Sequence, residues 1–253
     1  MVKAEAGANA RGTVDPEEVA RFAGFAEDWW GTHGRMRALH KFNPVRLAFI
    51  RDTACTAFKR DPKALDCLKD LRLLDVGCGG GILAEPLARL GASVVGIDPA
   101  DENVAAAKLH AEKSGLVIDY RVATAETLAD AGERFDLAVA SEVVEHVTDV
   151  GLFIRRCAEM VKPGGLMIVT TINRTLRSFA LVIVGAEYIL RWLPIGTHRW
   201  DKFVAPDELE AAMEAGGLSV IDAKGAVYDP FADEWRRADD LAVNYMVAAE
   251  RPS

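Results

Sequence analysis

The sequence predicts an α/β protein built on a doubly wound, mostly parallel sheet, and three observations predict it. Between residues 71 and 171 short apolar runs alternate with stretches of helical length, the pattern of successive βαβ units. The first apolar run ends in Gly77-Cys78-Gly79-Gly80-Gly81, a strand-to-helix turn whose glycines let a ligand approach the main chain closely. The second run ends in Asp98, about 20 residues further on, where such sheets place a carboxylate at the ligand crevice.

Each element follows from local chemistry. Residues 1–14 are small and polar and are expected to be disordered. The run 15–31 reads as a helix, with Asp15 as N-cap, Pro16 in the first helical position, and Glu17 and Glu18 in the first turn. Val19, Phe22, Phe25, Ala26 and Trp29 give it an apolar stripe at helical spacing. Asn43-Pro44 is read as the start of a second helix, so that 15–60 forms an N-terminal helical pair. Strands are expected at 71–76, 93–97, 117–122, 135–140 and 166–171, with helices at 82–90, 101–114 and 150–160. A long apolar stretch at 178–192 interrupts the alternation, a helix follows at 206–215, and two last strands are expected at 219–228 and 243–250. The acidic run 229–240, with Arg236 and Arg237, reads as an exposed loop. No internal repeat or Pro/Gly/Ser-rich linker divides the chain, so 15–253 reads as one domain with an insertion at 174–205.

Composition narrows the function. The chain has 253 residues, 50% of them hydrophobic and 27% charged, which is ordinary globular usage. With 30 Lys and Arg against 38 Asp and Glu the formal charge is -8, and no nucleic-acid partner is expected from so acidic a field. Cys55, Cys67, Cys78 and Cys157 show no C-x-x-C spacing, so neither a zinc site nor a redox pair is indicated and a reducing compartment fits. The first 20 residues have no apolar core of a secretory signal. The expected address is the cytoplasm.

At the glycine turn, a dinucleotide fingerprint would require glycine in the sixth position, which here is Ile82. That departure disfavours NAD, although Asp98 would serve the ribose of NAD or of S-adenosylmethionine (SAM) equally well. Glu142, Glu145 and His146 follow the fourth strand at i, i+3 and i+4, one face of any helix that begins there. Three readings follow: a divalent-ion site with open positions for substrate oxygens, a metal-free general base at His146, or solvated charges beside a helix cap.

Taken together, D-V-G-C-G-G-G at 75–81, G-I-D at 96–98, F-D-L-A-V-A-S-E-V-V-E-H-V at 135–147 and V-K-P-G-G at 161–165 resemble the class I SAM-dependent methyltransferases. The resemblance implies their Rossmann-like seven-stranded sheet, its last strand antiparallel to the rest. It implies that Gly77 and Gly79 approach the methionine part of SAM, that Asp98 holds the ribose, and that the segment near Ala125-Glu126 borders the adenine. Ser141 would then line the floor under the sulfonium. Further matches, among them W-W at 29–30, L-H-K-F-N-P-V-R-L at 39–47, A-E-Y-I-L-R at 186–191, G-T-H at 196–198 and D-L-A-V-N-Y-M at 240–246, are similar to the ubiquinone-biosynthesis O-methyltransferases. That likeness implies O-methylation of a polyprenylated catechol at two steps of quinone synthesis. It implies Arg46 at the cofactor carboxylate and Mg²⁺ at Glu142, Glu145 and His146, with a possible place in a quinone-biosynthesis protein complex. The rival readings are a class I methyltransferase acting on another small phenol and a catalytically inactive scaffold of the same fold.

A lipid substrate needs access. Residues 179–195 carry large aliphatics with Tyr188 and Trp192, and Arg174, Arg177, Arg191 and Arg199 flank or punctuate them. Such a segment suits a helix in an anionic headgroup layer, peripheral on the inner face of the membrane. It suits a lid over the active site equally well. His198 and Lys202 are placed at the same mouth.

Overall fold

The computed structural model describes residues 12–31, 36–183 and 199–253. Two helices lead in, α1 (Pro16–Ala23) and α2 (Arg37–Ala57). Then come β1 (Arg72–Val76), α3 (Ala84–Arg89), β2 (Ser93–Asp98), α4 (Asp101–Lys113), β3 (Asp119–Val122), α5 (Ala125–Asp130) and β4 (Phe135–Ser141). A short 3-10 turn (Val144–His146), α6 (Val150–Glu159), β5 (Val161–Ile172) and α7 (Leu176–Ser178) follow. The described chain ends with α8 (Pro206–Ala215), β6 (Ser219–Asp229), β7 (Glu234–Ala238) and β8 (Asn244–Glu250).

The sheet has eight strands in the order β3-β2-β1-β4-β5-β8-β6-β7. The first five pair in parallel, and β8 is antiparallel to both β5 and β6. The chain turns one way from β1 to β2 and the other way to β4, so the crevice for a ligand opens at the ends of β1 and β4. Side chains alternate across the sheet: Leu73, Leu137 and Ile168 join one core with Phe49 and Ile50 of α2. Leu74, Ala138 and Met167 join the other with Phe153 and Ile154 of α6. All four cysteines are buried and unpaired.

Four expectations are corrected. The sheet has eight strands rather than seven, because 234–238 pairs with β6 where an exposed loop was expected. The charges that suggested a loop are satisfied sideways: Arg237 reaches Asp52 at 2.8 Å and Trp235 packs on Phe42 with centroids 4.9 Å apart. Second, α2 starts at Arg37, not at Asn43, and carries Pro44 inside it. The turn before Pro44 is held from outside, by the Asn43 amide on the Ile82 carbonyl at 2.9 Å and by the His40 ring on the Trp29 carbonyl at 2.9 Å, which offsets the bond that proline removes. Third, β5 begins at Val161, so V-K-P-G-G is strand and not loop. Fourth, Thr13 is buried and anchored by the Glu126 carboxylate, and α5 occupies a stretch not read as helical. Residues 1–11 lie outside the described residues, as do 184–198 with Tyr188, Arg191, Trp192 and His198.

Candidate active site

A cavity of about 760 Å³ opens along the carboxyl edge of the sheet and receives Gly77, Gly79, Asp98, Ser141, Glu142 and His146. That volume is within the range of small-molecule sites. The glycine turn is sterically fixed. Gly77 has φ 69°, and a Cβ there would stand 2.6 Å from Val143; at Gly79, φ 51°, it would stand 2.5 Å from the Trp29 ring. Only glycine combines that backbone with that approach.

Asp98 ends β2, buried, and receives three donors: the Gly79 amide at 3.0 Å, the Ala100 amide at 2.9 Å and the Asn103 side chain at 3.1 Å. Burial nevertheless holds its pKa above the ordinary carboxylate range. Asn103 in turn accepts from the Trp29 indole at 2.8 Å, which fixes Trp29 against the glycine turn. Trp30 donates to the Gly80 carbonyl at 2.9 Å and stacks on His110, centroids 3.4 Å apart.

Arg46 reaches the cavity from α2, fully buried. It donates to Ser141 Oγ and to Asn43 Oδ1, both at 2.9 Å, while its Nε has no partner. Burial lowers its pKa, and the Glu142 and Asp75 carboxylates oppose that. Asp75 is its counterpart. This carboxylate on β1 is buried, its Oδ2 has no partner, and desolvation pushes its pKa up to about 7 against the pull of Arg46. In the sequence Asp75 stands out only as part of a motif. The signal was present in a charged residue inside the otherwise apolar run Leu73-Leu74-Asp75-Val76.

Beyond β4 a hydroxyl relay forms. Ser141 accepts from Arg46 and lies 2.8 Å from Thr170 Oγ1, which donates to Glu142 at 2.8 Å. Glu142 sits in the left-handed region with φ 56°, its amide on the Thr170 carbonyl at 2.9 Å. It therefore precedes the 3-10 turn instead of belonging to it, and the common helical face expected for Glu142, Glu145 and His146 does not form. Glu145 is buried and accepts from Thr171 at 2.8 Å, with Oε1 unpartnered. Burial, then the Glu142 charge, raises its pKa. His146 places Nδ1 2.9 Å from Glu18 of α1, edge-on to Phe22. Among the described residues no three His, Cys, Asp or Glu converge to hold a metal ion, so the expected Mg²⁺ site is not formed by this arrangement. Glu18 and Thr170 were not singled out from the sequence, because their partners lie more than a hundred and nearly thirty residues away, respectively.

Arg177, on the cavity lining, pairs with Asp240, whereas Arg174 pairs with Glu208 and Arg199 with Asp201 around a separate, smaller depression. Lys202 reaches Asp15 at 2.9 Å. Leu176, Phe179 and Leu181 are exposed.

A mostly parallel sheet with this switch point, glycine turn and strand-end aspartate is common to nucleotide-cofactor folds, and a family model described as a methyltransferase domain, matching residues 41–223, gives the class as methyltransferase. The fold is shared with magnesium protoporphyrin IX methyltransferase from Synechocystis PCC 6803, solved with bound SAM, at TM-score 0.59 and 15% identity over 95% of this chain and 100% of that one. Much nearer are the ubiquinone biosynthesis O-methyltransferases of Chelativorans sp. (strain BNC1), 58% identical over 96% of both chains, and of Rhodopseudomonas palustris (strain BisB18), 58% identical over 94% of this chain and 93% of that one. The chain belongs to the family of ubiquinone biosynthesis O-methyltransferases.

Proposed function

We propose that the protein transfers a methyl group from SAM to a hydroxyl of polyprenylated catechol intermediates in ubiquinone synthesis, at both O-methylation steps. The observation that carries the cofactor assignment is the buried pair Arg46 and Asp75, each with a polar atom left without a partner. An α-amino acid end matches both, its carboxylate to Arg46 and its ammonium to Asp75. Gly77 and Gly79 admit the methionine chain, Asp98 takes the ribose hydroxyls, and Ser141 floors the sulfonium.

SAM supplies an electrophilic methyl group. The chain's task is to hold the catechol oxygen in line with it, exclude water and accept the phenolic proton. His146 is the base, and Glu18 on its Nδ1 fixes the ring and stabilises the imidazolium that forms. A second reading puts Mg²⁺ at Glu142, Glu145 and His146. One observation favours it: Glu145 Oε1 is a buried acceptor with no partner. It would require Glu145 and His146 to leave Thr171 and Glu18.

Labelled SAM and a short-chain prenylated catechol, with Mg²⁺ and then with EDTA, test both. Transfer that survives EDTA supports His146 as base, and His146→Ala should then lower kcat by roughly 10²–10⁴ with little change in SAM affinity. Transfer lost to EDTA and restored by Mg²⁺ replaces the base with the metal. No transfer despite SAM binding overturns the substrate.

We also place the protein in the cytoplasm, peripheral on the membrane through 179–195. The exposed Leu176, Phe179 and Leu181, the last on the cavity lining, support that reading, and no described helix is long and apolar enough to cross a membrane.

A further inference from the structure

We infer that the β6–β7 hairpin and the first half of α2 form a gallery for the isoprenoid tail of the substrate, with Trp235 and Tyr228 as its far wall. The inference rests on the proposed substrate class.

The geometry starts from strand order. Asp98, the glycine turn and Ser141 stand at the ends of β2, β1 and β4, which are neighbours, so the cofactor groups occupy one half of the edge. The same cavity continues past Ile172 and Asn244 to Ala226, Tyr228 and Trp235. From β4 to β7 the order is β4-β5-β8-β6-β7, four strand spacings or roughly 19 Å. A catechol held over Ser141 and His146 would therefore have its tail directed along this half of the edge.

The hairpin is built to overhang. Asn244 pairs with both Ile172 and Ala226, which puts these three at one level. Tyr228 and Trp235 form a cross-strand pair two residues beyond it. From there they lean toward α2: Trp235 packs on Phe42 at 4.9 Å and on Tyr228 at 5.6 Å between centroids. Two ion pairs pin the hairpin to α2, Lys41 with Asp233 and Arg237 with Asp52. On the α2 side the cavity meets Met36, Ala38, Leu39 and Phe42. Between these walls the lining is mostly aliphatic and aromatic, with Asn244 as its polar member. The ion pair Arg177–Asp240 stands at its rim. An unbranched polar ligand would find few partners there, whereas a chain of isoprene units gains by burial alone.

The test compares catechols with no tail, one isoprene unit and three. In the wild-type protein kcat/KM should rise by at least about tenfold from tail-less to three-unit substrate. Trp235→Ala removes the far wall and Ala38→Trp fills the gallery from the α2 side. In each, the ratio of kcat/KM with and without tail should fall by about tenfold or more, with SAM affinity and melting temperature recorded to exclude misfolding. A ratio unchanged in both folded variants overturns the gallery. A three-unit catechol with a diazirine at the tail end gives a readout independent of turnover: after irradiation, label should lie within 36–42 or 226–237. Label confined to other segments also overturns it. Label in the gallery without methyl transfer would instead retire the proposed reaction and leave the tail site standing.

Discussion

In the proposed cofactor site, one buried carboxylate, Asp75, would set the terms of binding. Burial pushes its pKa up to about 7 from 3.8, so without ligand it is partly protonated near neutrality. A cofactor ammonium needs the charged form. SAM affinity should therefore fall as pH drops from about 8 to about 6, with proton release on binding, and calorimetry in buffers of different ionisation enthalpy would measure both. Folding stability moves the opposite way: a carboxyl raised above its unfolded value destabilises the unliganded protein progressively as pH rises from the unfolded pKa through about 7. Asp75→Asn should accordingly melt higher than wild type at alkaline pH while binding SAM poorly. Asp98 behaves differently because its three donors are already in place. Asp98→Ala should weaken SAM by about 1–3 kcal/mol through lost charge-assisted hydrogen bonds, and an unchanged calorimetric affinity would remove it from the site.

At the scale of elements, the N-terminal segment is a strap over the cofactor end of the cavity. Thr13 ties it to Glu126 of α5, Glu18 to His146 and Trp29 to Asn103 of α4. Trp29 lies so close to the glycine turn that a Cβ on Gly80 would stand 2.3 Å from its ring. Gly80→Ala should therefore push Trp29 away at a cost of roughly 1–3 kcal/mol, read as a lower denaturant midpoint. SAM affinity should weaken with it, since Asn103 and Asp98 hang on the same bond. A midpoint equal to wild type would mean the strap gives way freely and is no part of the site's rigidity. The sequence signalled this helix by its cap, but the stripe expected to carry it to residue 31 overruns it: α1 ends at Ala23, and 24–30, with Phe25 and Trp29, are successive turns. That Glu18 would face a histidine, rather than merely favour a helix N-terminus, depended on a pairing 128 residues apart.

For the whole molecule, the proposed cofactor and tail sites share one edge of the sheet, and the cavity there reaches Leu181, with Leu176 and Phe179 exposed on the same segment. Leu176 is 81% exposed, an unfavourable place for such a side chain in water alone. Replacing these three with serine should reduce sedimentation with anionic vesicles while leaving SAM affinity in place. An equal bound fraction would leave the segment as a cover for the site only. The arginines nearby act more weakly than their number suggests, because Arg174, Arg177 and Arg199 each face a carboxylate.

By itself the sequence determined the alternation of strands and helices, the glycine turn, the acidic strand end and the family likeness, because these rest on periodicity and on residues adjacent in the chain. The helical run before Pro44 and the charged strand 234–238 are not legible locally for the complementary reason: each is stabilised by partners far away, Ile82 and Asp233 in one case, Asp52 and Phe42 in the other. Only the tertiary structure decided that Arg46 and Asp75 are buried with spare polar atoms, and that Glu142 turns out of the helical face expected for it. It alone also set Glu18 against His146 and pinned the β6–β7 hairpin to α2. Desolvation and long-range pairing create these features, and neither is a property of neighbouring residues.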